Sequence, residues 1–130
     1  EKGQRPLMTN FAQVINNVQS TWEKQEYIND LCKYDLLIID DLGIERQTTT
    51  VQEIVFNVID TRYRSGLPMI ITTNLTPQEF TKATDIGNKR IYDRIIERCL
   101  PVEVAGESRR REAAKTEWNM MRQNLGLDVK

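Results

Sequence analysis

Leu36-Leu37-Ile38-Ile39-Asp40-Asp41 decides how this chain is read. Four aliphatic residues run without a polar break and then meet two carboxylates. A run that short, buried on both faces, predicts a central parallel strand, with the acids just past its end. In open parallel sheets, ligands bind at the carboxyl ends of the strands. Adjacent carboxylates at that edge suit a hard divalent cation and the activation of a water. A core strand entering a polar turn would leave the same six residues, so the flanking segments carry the decision.

Downstream, Leu42-Gly43-Ile44-Glu45 reads as a turn and Gln47-Thr48-Thr49-Thr50 as a polar loop. Thr50 with Glu53 forms a capping box. Val51, Ile54, Val55, Val58 and Ile59 then carry a helix to about Arg64, which Gly66 and Pro68 stop. Met69-Ile70-Ile71 predicts a second buried strand ending in Thr72-Thr73-Asn74. Thr76-Pro77-Gln78-Glu79 is a helix start: cap, proline, acid. Thr81 to Gly87 reads as a loop, and a helix follows from about Asn88 to Cys99. Pro101–Val104 predicts a short strand. Gly106-Glu107-Ser108 turns into a last helix whose buried stripe is Ala114, Trp118, Met121 and Leu125.

Upstream, Glu1–Arg5 reads as a turn or helix end and Pro6-Leu7-Met8-Thr9 as a short strand. Asn10 caps a helix with Phe11, Val14, Ile15 and Val18 on one face. Ser20 and Glu23 repeat the capping pattern before a helix from Trp22 to about Cys32 that buries Trp22, Ile28 and Leu31. Strands alternating with helices imply βαβ units and a parallel α/β sheet.

Composition bounds the chemistry. The 130 residues make one domain or part of one. A formal net charge of −1 gives no global field for nucleic acid, so any such contact must be local. Histidine is absent, which removes imidazole bases and most zinc sites and leaves proton chemistry to carboxylates. Cys32 and Cys99 form no metal or redox motif and read as reduced thiols of a cytoplasmic protein. No apolar run approaches membrane-spanning length, so no membrane partner is expected.

Three constellations carry chemistry. Neighbouring parallel strands would bring Asp40, Asp41 and Asn74 to one sheet edge. There Asp40 could hold Mg²⁺, Asp41 could orient or deprotonate a water, and Asn74 could position that water or a phosphate oxygen. Arg90, Arg94 and Arg98 recur every fourth residue along one helix. They are either a solvated face paired with Asp93 and Glu97, or cations that stabilise a transferring phosphoryl group. Ser108 caps a helix whose first turn holds Arg109, Arg110 and Arg111. Cations there oppose the helix dipole, so local stability does not explain them, whereas an anionic partner such as phosphate or a nucleic-acid backbone would.

Asp35-Leu-Leu-Ile-Ile-Asp-Asp-Leu-Gly43, Arg62-Tyr63, Ile70-Ile-Thr-Thr-Asn-Leu75, Arg90-Ile-Tyr-Asp-Arg94 and Gly106-Glu-Ser-Arg-Arg110 occur in the order and spacing of DnaC-like helicase loaders. The IstB-like transposition helpers look similar, and both are AAA+ ATPases. The resemblance implies a three-layer α/β/α parallel sheet of the P-loop NTPase type. It implies that Asp40 is the Walker B ligand of Mg²⁺, Asp41 the catalytic acid where many AAA+ proteins carry Glu, and Asn74 sensor 1. Arg94 matches the arginine finger, with Arg90 as second choice, and Arg110 matches the sensor 2 arginine. ATP, a replicative DNA helicase, single-stranded DNA and an ATP-dependent oligomer are the implied cofactor and partners. No Gly-x-x-x-x-Gly-Lys-[Ser/Thr] loop occurs in the sequence. The expectation is therefore the C-terminal part of an AAA+ core, truncated at the N-terminus, whose P-loop lies upstream of Glu1. Alternatives are a transposase helper and a non-catalytic interaction module that has lost nucleotide binding.

Overall fold

In the computed structural model, which describes residues 3–43 and 48–127, three parallel strands form one sheet. They are β1 (Pro6–Asn10), β2 (Leu36–Leu42) and β3 (Met69–Thr73), in the order β1-β2-β3. Helices α1 (Phe11–Ser20), α2 (Lys24–Asp30) and a 3₁₀ turn at Leu31–Lys33 connect β1 to β2. The long helix α3 (Thr49–Ser65) connects β2 to β3. Then come α4 (Pro77–Thr81), α5 (Ile86–Arg98) and α6 (Arg109–Asn124). The parallel α/β class read from the alternation is the one observed.

The sheet is covered on one face. Leu37 and Ile39 are fully buried against Phe11, Val14, Val18, Val55 and Ile59. Burying an aliphatic side chain of this size contributes about 1.5–3 kcal/mol. The opposite face aligns Met8, Ile38 and Ile70 in register, and Met8 and Ile70 are exposed. The expectation of a strand buried on both faces therefore holds for one face of β2 among the described residues. These residues supply the sheet and one helical layer.

Several local signals act as the sequence predicts. Asn10 Oδ1 accepts from the Gln13 amide and starts α1. Thr76 and Glu79 form a reciprocal capping box. Gly66, at φ 72, ends α3 in the left-handed conformation that glycine adopts freely. The start of α3 lies earlier than read, because Thr48 rather than Thr50 provides the capping oxygen. Helix α5 likewise starts at Ile86, capped by Asp85.

Other expectations are corrected. Ser20 does not cap α2, since its hydroxyl donates back to the Asn16 and Asn17 carbonyls. Trp22 precedes α2 and is fully exposed. Pro101–Val104 forms no strand, because no strand lies beside it to complete its backbone hydrogen bonds among the described residues. The Ala114–Trp118–Met121–Leu125 stripe of α6 is exposed: α6 forms no hydrogen bond or ion pair with another element among the described residues. The readings that include Glu1, Lys2, Ile44, Glu45 and Gln47 extend outside the described residues.

Arg62, in the last turns of α3, is 1% exposed. Its guanidinium donates to the carbonyls of Leu31 (3.3 Å), Tyr34 (2.8 Å), Asp35 (3.3 Å) and Pro68 (2.6 Å from Nη2, 3.2 Å from Nε). Burial lowers its pKa from the ordinary value, yet a guanidinium remains protonated. Arg62→Met should cost about 3 kcal/mol or more, because the buried and part-buried carbonyls around it lose a charged donor, each such hydrogen bond contributing about 1.5–3 kcal/mol. Arg62→Lys should cost nearly as much, since an ammonium lacks the planar fork. Denaturant unfolding checks both, and a lysine variant within about 1 kcal/mol of wild type would reduce the interaction to simple charge.

Candidate functional site

Consecutive acids pose a problem for a strand with one buried face. Side chains alternate, so with Leu37 and Ile39 inward, a regular strand would drive Asp41 into the core and turn Leu42 out. A β-bulge prevents this. Ile39 pairs with Ile71 and Leu42 with Thr73, so Asp40 and Asp41 together oppose Thr72. Asp41 takes φ 67, the one left-handed non-glycine among the described residues, a conformation Asp tolerates better than most. As a result Leu42 is 2% exposed while Asp41 faces solvent. The acids thus lie inside β2, not beyond it, and the bulge is the reason.

The threonines of β3 hold the bulge. Thr72 Oγ1 donates to Asp40 Oδ1 at 2.9 Å and accepts from the Asp41 amide at 3.1 Å. Thr73 Oγ1 donates to the Leu42 carbonyl at 2.7 Å and accepts from the Leu75 amide at 3.1 Å. Gly43, at φ 95, lies so close to Leu75 that an added Cβ would sit 3.1 Å from its side chain. The carboxyl ends of β2 and β3 are therefore held together. Exposed Asn74 directly follows β3 at this edge.

Asp40 is partly buried and Asp41 exposed. No group of three or more His, Cys, Asp or Glu side chains gathers among the described residues. That donor set does not make an all-protein cage. It fits Mg²⁺, which binds through one or two carboxylates and fills its remaining positions with water and phosphate oxygens.

The arginine stripe of α5 lies on α3. Arg90 stacks over Phe56, with Cζ 4.1 Å from the ring centroid. Arg94 and Arg98 both lie over Tyr63, at 4.8 and 4.9 Å. Between those rings is Asp60, 7% exposed, bridged by Arg64 at 2.8 Å and by Arg94 Nε at 3.1 Å. The Arg94 contact is off the hydrogen-bond line, so charge rather than alignment joins that pair. Arg94 also lies 3.5 Å from Glu97. Both sequence readings of the stripe omitted the stacking on α3.

The structure brings Asp40, Asp41 and Asn74 to one edge. It gives Arg90 and Arg94 partners within the chain. Arg110, in the first turn of exposed α6, makes no hydrogen bond or ion pair to that edge among the described residues. Thr72 and Asp60 are absent from the sequence-derived site. The signal for Thr72 was the odd phase of Asp41 and Leu42 relative to Leu37 and Ile39. For Asp60, it was the Phe56–Asp60–Tyr63 spacing, which puts an acid between two rings on one helix face.

The family model described as IstB-like ATP binding protein matches residues 3–117. The replicative helicase loader DnaC of Escherichia coli (strain K12) is 26% identical over 99 residues, which cover 72% of this chain and 39% of DnaC. The replicative helicase loader DnaI of Bacillus subtilis (strain 168) is 26% identical over 110 residues, covering 77% of this chain and 35% of DnaI. The chain therefore spans less than two-fifths of the length of these relatives. Among solved structures, a DNA replication initiation factor superposes with a TM-score of 0.63 at 19% identity, covering 99% of this chain and 39% of that one, a likeness of fold.

Two cations share Asp60, so removing one should be tolerated. Arg64→Ala and Arg94→Ala should each cost about 1 kcal/mol or less. The double variant leaves a buried carboxylate without a cation. It should exceed the sum of the singles by at least about 1 kcal/mol. Strict additivity in denaturant unfolding would show that Asp60 does not couple them.

Proposed function

The chain belongs to the IstB-like ATP-binding family, and from that premise we propose that the whole protein is an AAA+ ATPase that loads a replicative helicase onto single-stranded DNA. One observation carries the reading: a bulge that keeps two consecutive carboxylates out of the core at the carboxyl edge of a parallel sheet, by turning Asp41 out beside Asp40. Residues 1–130 then form part of the ATPase core.

In this reading Asp40 holds Mg²⁺, which when bound neutralises charge on the phosphate oxygens of ATP. Asp41 orients an attacking water and accepts its proton. Asn74, one strand over, positions that water or a phosphate oxygen. Arg94, with Arg90 as the alternative, reaches the transferring phosphoryl group held by the next subunit of an ATP-dependent oligomer. Arg110 contacts the nucleotide phosphates. Arg109 and Arg111 supply local positive charge for a nucleic-acid backbone, which a net charge of −1 does not supply globally. No described helix is long and apolar enough to cross a membrane.

A second reading, helper of a transposase, is favoured by the IstB-like description of the matching family. Co-purification of the full-length protein from its host separates the two: a replicative helicase supports the loader, a transposase the helper. A full-length protein that fails to bind ATP would instead be a non-catalytic module.

In the full-length protein, Asp41→Asn should retain ATP binding and lower kcat by about 10²–10⁴-fold, the usual range for a lost general base. Equilibrium nucleotide binding and steady-state hydrolysis check this, and an unchanged kcat removes Asp41 from the mechanism. Arg94→Ala should also hydrolyse poorly. Mixed with Asp41→Asn, it should recover part of the activity, because some interfaces then join an intact Asp41 to a neighbour's intact Arg94. No recovery on mixing would confine Arg94 to its own subunit.

A further inference from the structure

Thr72 sits opposite both acids. Its hydroxyl has one proton to donate and lone pairs to accept. It spends the proton on Asp40 Oδ1 at 2.9 Å and accepts the Asp41 amide at 3.1 Å. Those two bonds bridge β2 and β3 where the ladder between Ile39 and Leu42 is interrupted. One fixes the Asp40 carboxylate. The other gives the Asp41 N–H a partner and holds that residue at φ 67.

We propose that Thr72 is a positioning residue for the carboxylate pair, setting Asp40 for the metal and Asp41 for the water through a single hydroxyl. The proposal rests on the ATPase reading of this edge. A β-branched side chain suits the role because its χ1 is restricted in a strand, so the hydroxyl is aimed before any ligand arrives. Thr72 is itself exposed, with no core side chain to support. Its hydroxyl is therefore separable from packing. Without it the Asp41 amide loses its partner, and Asp40 is free to turn away from the position in which it would meet the metal.

The test uses full-length protein. Thr72→Val keeps the shape and removes the hydroxyl, while Thr72→Ser keeps the hydroxyl. Mn²⁺ affinity of the ATP complex, read by electron paramagnetic resonance, should fall about 10–100-fold in Thr72→Val, the usual loss for a partner that orients a metal ligand. It should return to within about 3-fold of wild type in Thr72→Ser. Hydrogen exchange at the Asp41 amide should accelerate in Thr72→Val and recover in Thr72→Ser. Thr72→Ala serves in place of Thr72→Val where the valine variant does not fold. Wild-type Mn²⁺ affinity and wild-type Asp41 exchange in a hydroxyl-free variant overturn the proposal. So does loss of affinity that the serine variant fails to restore, since packing would then explain it. Asp40→Asn tests the underlying reading separately. If that variant binds Mn²⁺ as wild type does, the ATPase assignment of the edge fails and Thr72 has no pair to position. If it loses Mn²⁺ while Thr72→Val does not, only the role of Thr72 is lost.

Discussion

One buried guanidinium ties together the amino ends of the sheet. Arg62 reaches the carbonyl before β2 (Asp35) and the carbonyl before β3 (Pro68), and also those of Leu31 and Tyr34. The Pro68 carbonyl in turn accepts the Leu37 amide. Strand β1 joins the same cluster through Arg5, whose amide donates to Asp35 Oδ2 at 2.8 Å and whose carbonyl accepts the Asp35 amide at 2.9 Å. A cation can be buried here because carbonyl dipoles surround it, and because it lies at a helix C-terminus where positive charge is favoured.

What Arg62 fixes at one end of the sheet governs the other. A parallel register set at Leu37 and Met69 runs unchanged through Ile39 and Ile71. The bulge then absorbs one residue, and on β3 Thr72 alone stands opposite the two acids. A start displaced by one residue would put Ile71 or Thr73 across from the bulge, or send Asp41 inward. The site residues are therefore far in the fold from the interaction that aligns them, and the strands connect the two.

Signals that act over three or four residues were legible in the sequence. Asn10, Gly66, the Thr76–Glu79 box and the Ser108 cap all work as read. So does the placement of Asp40, Asp41 and Asn74 at one edge, since it needs only two apolar runs and a parallel connection. What failed needed a partner distant in sequence. Trp22 and the α6 stripe have helical spacing, but spacing names a face and not what lies against it. Val102 and Val104 have strand composition and no neighbouring strand to pair with among the described residues. Arg62 reads as one more polar residue of a helix, because its carbonyl partners lie 6 to 31 positions away.

The arginine stripe has a structural role that neither of its sequence readings named. Its guanidinium groups pack on Phe56 and Tyr63, which joins α5 to α3 and restricts the side chains. Cation–π contact of this kind contributes about 0.5–1 kcal/mol at an exposed site, modest beside the attraction of a multiply charged phosphate. Arg94 is the member best placed to change partner. Its contact with Asp60 is off the hydrogen-bond line, and Arg64 meets the other carboxylate oxygen at 2.8 Å. Withdrawing Arg94 thus leaves the buried acid still paired. The proposed role at a phosphate asks Arg94 to leave Asp60, and the second cation, Arg64, lets it do so without stranding a buried charge.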